Sequence, residues 1–135
     1  MKKKLFSREI IIYIIFIFLG LVMAHYMNVV ASESMEPTLH TGDVVIINYN
    51  PSLVQVGDIV VYNATWFSKP VIHRVISKQQ ANGETVYILK GDNNSFQDPY
   101  PVYPNQIISK VVTIENKPIV IPKIGYINLW LRNII

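Results

Sequence analysis

Two serines beside a proline form the first candidate site for nucleophilic chemistry. Ser32 and Ser34 lie in the stretch Ser-Glu-Ser-Met-Glu-Pro-Thr-Leu at residues 32–39. A serine hydroxyl attacks a carbonyl when a neighbouring base accepts its proton and a donor stabilises the oxyanion. Ser34 is therefore a candidate nucleophile, and Ser32 could offer a hydroxyl to the oxyanion beside the Ser34 backbone N–H. On these two residues alone a plain turn is favoured, because serine commonly starts turns and caps helices.

The serine motif is the first of five ordered blocks that together resemble type I signal peptidases. The first block continues from the serines into Gly-Asp-Val-Val at residues 42–45. The later blocks are Gly-Asp-Ile-Val-Val-Tyr at 57–62, His-Arg-Val-Ile at 73–76, Lys-Gly-Asp-Asn-Asn at 90–94 with Asp98, and Ser-Lys-Val at 109–111. The resemblance covers residues 10–114 and implies a serine endopeptidase that cleaves signal peptides, with a small β domain.

The block at residues 73–76 indicates which subgroup of that family the chain resembles. Most bacterial members carry a lysine just before an Arg-Val-Ile-Gly run, whereas this sequence has His73 there and lacks the Gly-Leu-Pro extension that follows. The pattern is similar to the subgroup of the eukaryotic endoplasmic reticulum, archaea and some Gram-positive bacteria, for which a Ser/His/Asp arrangement is implied. His73 would then be the general base. The chemistry agrees, because an imidazole with a reference pKa of about 6.5 needs less tuning than a lysine at about 10.4.

Two carboxylates in the turn-rich loop at 91–104 are candidates for the third member of a triad. A carboxylate in that role fixes the tautomer of the histidine and stabilises its cation. By resemblance to the subgroup, Asp98 is the triad acid and Asp92 is a nearby carboxylate that supports the site. Asp92 also fits a turn, since its carboxylate could accept hydrogen bonds from the backbone amides that follow it. Both interpretations of Asp92 stay open.

The sequence predicts neither a metal nor a cofactor. His25 lies in or at the edge of an apolar segment, and His40 lies in the turn after Leu39. No His-Glu-x-x-His or comparable spacing connects these histidines with other ligands. The chain has no cysteine, which excludes disulfides, thiol catalysis and thiolate metal sites.

A long apolar segment near the N-terminus predicts a membrane anchor. No Asp, Glu, Lys or Arg occurs from Ile10 to Ser32, and residues 10–27 would form a helix about 27 Å long, close to the hydrocarbon thickness of a bilayer. Four cationic side chains within the basic flank at 1–9 favour a cytoplasmic N-terminus. We expect a single-pass anchor at 10–31 in the cell membrane, or in the endoplasmic reticulum membrane of a eukaryote, with the rest extracytoplasmic. A signal peptide cut after Ala31 is the less favoured alternative, because the apolar run is long.

The sequence after the anchor has the pattern of a mostly β domain. Short runs rich in Val, Ile and Tyr alternate with Gly, Asp, Asn and Pro. The predicted strands cover residues 43–48, 58–63, 71–77, 85–90 and 107–114, within an extracytoplasmic catalytic domain at 32–123. The apolar tail at 124–135 carries Tyr126, Trp130 and Arg132, so it is either a short interfacial helix or the last core element.

The net charge of the chain bears on the partners that the sequence predicts. The net charge of +3 comes from the N-terminal flank, since eight basic and eight acidic residues cancel from residue 10 onward. The charge therefore indicates topology and predicts no nucleic-acid partner. The resemblance implies preproteins with signal peptides as substrates, in a lipid bilayer, and leaves the need for accessory membrane subunits open. The alternatives are a non-catalytic membrane-tethered β domain that binds an exported partner, and a serine protease that uses Lys69 or Lys90 as base.

Overall fold

The computed structural model describes residues 7–50 and 53–134 of the chain, and its first element is an apolar helix. This helix, α1, spans Arg8–His25. The Ser7 hydroxyl caps it by accepting a hydrogen bond from the Ile10 N–H. All of its side chains are exposed although most are apolar. In the described part of the chain, α1 is the one helix long and apolar enough to cross a membrane. The basic flank predicted at 1–9 lies mostly outside the described residues.

Short antiparallel strands make up most of the remaining structure. They are β1 Met27–Val29, β2 Val44–Asn48, β3 Ile59–Tyr62, β4 Val71–Ala81, β5 Glu84–Lys90, β6 Ile107–Val111, β7 Thr113–Ile114, β8 Lys117–Pro118 and β9 Val120–Ile121. A 3-10 turn at Pro104–Gln106 precedes β6. The main sheet has the order β1-β2-β6-β3-β4-β5, and β9 pairs with the first half of β2. A separate hairpin joins β7 to β8. This order places β1 at one edge of the sheet.

The central strand β3 separates two apolar clusters, because successive side chains of a strand point to opposite faces. The first cluster contains Val30, Met35, Leu39, Val45, Ile47, Ile59, Val61 and Val111. The second contains Val54, Val60, Tyr62, Val71, Val75, Leu89 and Val102. Both faces of β3 are therefore packed, which makes it a rigid support for the neighbouring strand β4.

A second helix, α2, ends the described chain at Tyr126–Ile134. It starts directly beside the turn between β1 and β2, where the Gly125 N–H donates a 2.7 Å hydrogen bond to the Gly42 carbonyl. The backbone of the C-terminal segment is thus attached to the N-terminal half of the sheet.

The predicted mostly β class, with one apolar N-terminal helix and a short C-terminal helix, is confirmed. Three of the boundary differences have a clear physical reason. Residues 27–29 were expected within the anchor, but α1 ends at His25 and these residues form β1, because β2 offers them backbone partners that composition does not reveal. Strand β4 continues past Ser77 to Ala81, since its polar end pairs with β5. The stretch predicted as one strand at 107–114 is divided after Val111.

Candidate active site

Ser34 lies in a tight turn that follows β1 and is held by buried neighbours. Met35 is 1% exposed and Leu39 is fully buried, and the Leu39 N–H donates a 3.0 Å hydrogen bond to the Met35 carbonyl. The Ser34 side chain itself is only half-buried. The local sequence therefore places apolar anchors on both sides of a hydroxyl that solvent and a substrate can reach.

His73 projects from β4, next to the central strand, and contacts Ser34. Its Cα pairs in register with that of Val60 on β3, so the backbone position is fixed by the sheet. The residue is 3% exposed. Its Nε2 lies 3.1 Å from the Ser34 Oγ, within hydrogen-bonding distance. A base and a hydroxyl separated by 39 residues in sequence are therefore side by side.

Asp98 completes a hydrogen-bonded chain behind the imidazole. Both of its carboxylate oxygens lie 2.8 Å from His73 Nδ1. The Asp98 N–H donates to the Leu89 carbonyl at 2.8 Å, which ties the loop to β5. A carboxylate at Nδ1 favours the tautomer with the proton on Nδ1, which leaves Nε2 free to accept the proton of Ser34.

Tyr62 is a member of this cluster that the sequence reasoning missed. Its hydroxyl donates a 2.6 Å hydrogen bond to Asp98 Oδ2. Burial, with the hydrogen bond and the charge of Asp98, raises the pKa of Tyr62 far above its usual value, so the phenol stays protonated. The available signal was its position at the end of the Gly-Asp-Ile-Val-Val-Tyr block. An apolar strand pattern does not distinguish such a tyrosine from an ordinary core residue.

Asp92 lies outside the chain of contacts from Ser34 to Asp98 and binds a different set of partners. Its carboxylate accepts hydrogen bonds from Arg74 Nε at 2.8 Å and Nη2 at 2.7 Å, and from Thr38 Oγ1 at 2.6 Å. The Arg74 guanidinium, assisted by Thr38, lowers the pKa of Asp92 against the opposing effect of partial burial. Through Arg74 and Thr38, the Asp92 carboxylate connects β4 to the segment that carries Ser34.

The Gly-Asp-Asn turn of Asp92 also holds the backbone of the segment that carries Ser34. The Asn93 N–H donates a 2.9 Å hydrogen bond to the Ser34 carbonyl, and Asn93 Nδ2 donates to the Glu33 carbonyl at 3.2 Å. A Cβ at Gly91 would lie 2.5 Å from the Ser34 carbonyl oxygen, so a side chain there would displace this turn. Glycine is therefore required by the close approach of two backbones.

Ser32 lies beside the Ser34 hydroxyl. The two Oγ atoms are 3.1 Å apart, and Ser32 is exposed. The hydroxyl is thus near the position at which an oxyanion would form after attack by Ser34. It could donate there together with a backbone N–H.

An open cleft of about 350 Å³ leads to Ser34 and His73. One wall is the chain from β1 to Ser34, and the other wall runs from Trp66 into β4. Its lining is mainly apolar and includes Val29, Ala31, Trp66, Phe67, Pro70 and Ile72. The cleft therefore offers the strands β1 and β4 and an apolar lining beside a hydroxyl group.

The other histidines and the candidate lysines are placed differently. His25 stacks on Tyr49 at a centroid distance of 4.6 Å, and the His40 N–H donates to Asp43 Oδ2. Lys69 lines the cleft, and Lys90 lies near Asp92, but neither hydrogen-bonds to Ser34 in the structure. Across residues 7–50 and 53–134 no group of three His, Asp or Glu side chains is arranged to hold a metal ion.

Comparison with known proteins identifies similar chains. The family model described as "Signal peptidase, peptidase S26" matches residues 3–95, a range that includes Ser34 and His73 and ends just before Asp98. An uncharacterized protein of Methanocaldococcus jannaschii is 33% identical, over 84% of this chain and 87% of its own length. The signal peptidase complex catalytic subunits SEC11 of Clavispora lusitaniae and Lachancea thermotolerans are 33% and 35% identical over 76% of this chain. This chain spans 63% and 64% of their lengths.

Proposed function

Because the chain belongs to the signal peptidase family, peptidase S26, we propose that it is a membrane-anchored serine endopeptidase that removes N-terminal signal peptides from exported preproteins. Ser34 is the nucleophile, His73 the general base and Asp98 the acid that orients it. The observation that carries this proposal is the continuous hydrogen-bonded chain, 3.1 Å from Ser34 to His73 and 2.8 Å from His73 to Asp98. In this geometry each group can do its part of serine protease chemistry.

The reaction proceeds through an acyl-enzyme. Ser34 Oγ attacks the scissile carbonyl while His73 Nε2 takes its proton, and the oxyanion accepts hydrogen bonds from the Ser34 N–H and the Ser32 hydroxyl. The imidazolium gives its proton to the leaving amine as the C–N bond breaks. Water then attacks the acyl-serine with His73 as base, which releases the signal peptide carboxylate and restores the Ser34 hydroxyl.

The cleft supports binding of the substrate as an extended strand. In the described sheet β1 is an edge strand and pairs only with β2, so its other edge has free backbone groups next to Ser34. A peptide added to that edge gains register from main-chain hydrogen bonds. The cleft beside Ser34 has a mainly apolar lining that includes Val29 and Ala31, which suits the small residues of a signal peptide cleavage site.

The fully exposed apolar helix α1 supports membrane anchoring. Eighteen residues form a helix of hydrophobic composition that buries no side chain against the protein. We propose that it crosses the bilayer with its N-terminus in the cytoplasm and holds the catalytic domain, residues 32–123 together with β1, on the opposite face. Ser34 then lies close to the surface from which a signal peptide presents its cleavage site.

Two alternative functions find less support in the geometry. A purely binding domain has no need for Ser34 and His73 to be in contact, yet their side chains are 3.1 Å apart. A lysine base would need its amine within hydrogen-bonding distance of the Ser34 hydroxyl. The hydrogen-bond partners of that hydroxyl are His73 and Ser32. The SEC11 relatives are named catalytic subunits of a complex. We propose that this chain carries the complete catalytic set itself, whatever subunits accompany it.

Cleavage of a preprotein by the full chain in vesicles tests the function. Ser34→Ala is expected to abolish the mature product, because it removes the atom that attacks. Ser77→Ala, on the same strand as His73 but outside the cleft, is the matched control and is expected to cleave like the wild type. Normal processing by Ser34→Ala would overturn the proposal.

A further inference from the structure

Helix α2 presents an unusual exposed apolar arc. Four side chains fall within about 100° of its circumference, as expected for a helical spacing of 3.6 residues per turn. They are Ile127, Trp130, Leu131 and Ile134, with exposures of 64%, 63%, 46% and 61%. Leu129, which is half-buried, lies off this arc, as do the polar residues Asn128, Arg132 and Asn133. The helix is therefore amphipathic, and its apolar side faces away from the protein.

The start of α2 is locked to the sheet, so the arc has a defined direction. Gly42 has a positive φ of +89°, and a Cβ there would lie 2.6 Å from atoms of the Tyr126 ring. A Cβ on Gly125 would lie 2.6 Å from Val29 Cγ1 on β1. Two glycines thus allow the first turn of α2 to pack directly on the turn between β1 and β2. This contact, here called the glycine joint, attaches the start of α2 closely to the sheet.

The apolar arc is continuous with the end of α1. A shallow apolar cavity is lined by side chains of both helices, namely Ala24, Ile127 and Leu131, together with Met27 and Val29 of the chain between α1 and β2. α2 therefore lies beside the point at which α1 leaves the domain. If α1 spans the bilayer, this point lies at the membrane surface, and the arc is at the same level.

The charge of the C-terminal segment suits a phospholipid surface. From Lys117 onward the sequence contains three basic residues and no acidic residue. Lys123 precedes α2 and Arg132 lies on its polar side, and both are exposed. A helix with an apolar face, an aromatic residue and flanking cations is the type that lies in the interface and binds anionic headgroups.

We propose that α2 is an interfacial helix that inserts its apolar arc into the outer leaflet beside α1. The glycine joint then connects this second membrane contact to β1, the strand that leads into the cleft. One transmembrane helix leaves a domain free to rotate and tilt about its connection. Two contacts fix the height and orientation of Ser34 over the bilayer. The inference rests on the proposed anchoring by α1, and it assigns a membrane contact to a different part of the chain.

Fluorescence of Trp130 tests the inference in the full chain. The sequence has two tryptophans, so Trp66→Phe leaves Trp130 as the single emitter. This variant is reconstituted in vesicles of phosphatidylcholine and phosphatidylglycerol, with or without bromine on the upper acyl chain. The expected result is quenching of Trp130 by the brominated lipid and protection from acrylamide in the water. Strong acrylamide quenching without bromine quenching would overturn the inference. Protection from both quenchers would also overturn it, because a protein surface would then cover the arc.

A matched pair of variants links the signal to the arc. Ile127→Ser combined with Leu131→Ser is expected to lose most of the bromine quenching, whereas Asn133→Ser, off the arc, is expected to keep it. Equal quenching in both variants would contradict the inference. Vesicle flotation is measured on the same samples, and preprotein cleavage is measured on chains that keep Trp66, because Trp66 lines the cleft. If the chain with Trp66 cleaves the preprotein while Trp130 of the floating variant stays in water, the role of α2 is refuted and the proposed function is intact. If Trp130 is quenched by the brominated lipid but the chain with Trp66 does not cleave, the role of α2 is supported and the proposed function is refuted.

Discussion

The Tyr62 hydroxyl donates a 2.6 Å hydrogen bond to the carboxylate of Asp98 that also accepts from His73. Tyr62 is fully buried on β3, and Asp98 is 6% exposed. A buried carboxylate is costly unless donors surround it. Two donors from adjacent strands therefore hold Asp98 in position for His73.

Tyr62→Phe is expected to lower kcat by about 10–100-fold, as the loss of an outer hydrogen bond typically does. Tyr62 acts through Asp98 and touches no reacting atom, so KM should change little. Preprotein cleavage kinetics measure the effect, with Tyr87→Phe on β5 as the matched control. An unchanged kcat in Tyr62→Phe would show that the hydrogen bond serves stability alone.

Substitutions of the two loop aspartates, Asp92 and Asp98, are expected to lower kcat to different extents. Asp98→Asn should lower kcat by about 10⁴-fold, because an amide at Nδ1 favours the wrong imidazole tautomer. Asp92→Asn should retain much more activity, since Asp92 binds Arg74 and Thr38 and has no contact with His73. Cleavage rates of the two variants are compared at saturating substrate. The reverse order of effects would assign the triad acid to Asp92.

The ion pair of Asp92 and Arg74 predicts a pH dependence of stability. Arg74 lowers the pKa of Asp92 in the folded chain, while the unfolded value is about 3.9. The stabilisation is therefore fully present above about pH 4 and is lost as the pH falls through the lower folded pKa. Urea unfolding in micelles should show a smaller loss of stability on acidification for Asp92→Asn than for wild type. Glu84→Gln, at an exposed site, should behave like wild type, and identical acid profiles for all three chains would contradict this assignment.

A pair of glycines isolates the packing of the glycine joint. Gly42 and Gly57 both have positive φ, but only at Gly42 would a Cβ meet the Tyr126 ring, since Gly57 has open space. Each Ala substitution should cost about 1–2 kcal/mol of unfolding free energy from backbone strain. Gly42→Ala should cost about 1–3 kcal/mol more, because it also overpacks the joint. Urea unfolding measures both, and equal costs would mean that Tyr126 does not pack there.

Much of the fold can be predicted from the sequence, because apolar alternation and turn residues mark β2, β3 and β5 within a residue or two. Strand β1 cannot be predicted, since Met27–Val29 continues the apolar composition of α1 and becomes a strand only through its pairing with β2. The C-terminal end of β4 cannot be predicted from the sequence either. Its polar residues become a strand because β5 folds back on them.

The site follows from the sequence to the extent that ordered motifs reveal it. The resemblance carried by their blocks predicts Ser34, His73 and Asp98 as site residues, and their proximity depends on pairings between strands far apart in the chain. The contact between Tyr62 and Asp98 spans 36 residues and has no local signal. The sequence is compatible with a turn at Asp92 but does not reveal its contact with Arg74, which lies on β4.

We propose that His73 activates Ser34, and the cleavage rate of a preprotein by His73→Ala in vesicles measures this activation. His40→Ala is the matched control, because His40 lies in an exposed turn and contacts Asp43. His73→Ala is expected to lose about 10⁴-fold or more of kcat with the fold retained, while His40→Ala is expected to stay close to wild type. Wild-type cleavage by His73→Ala would contradict this proposal.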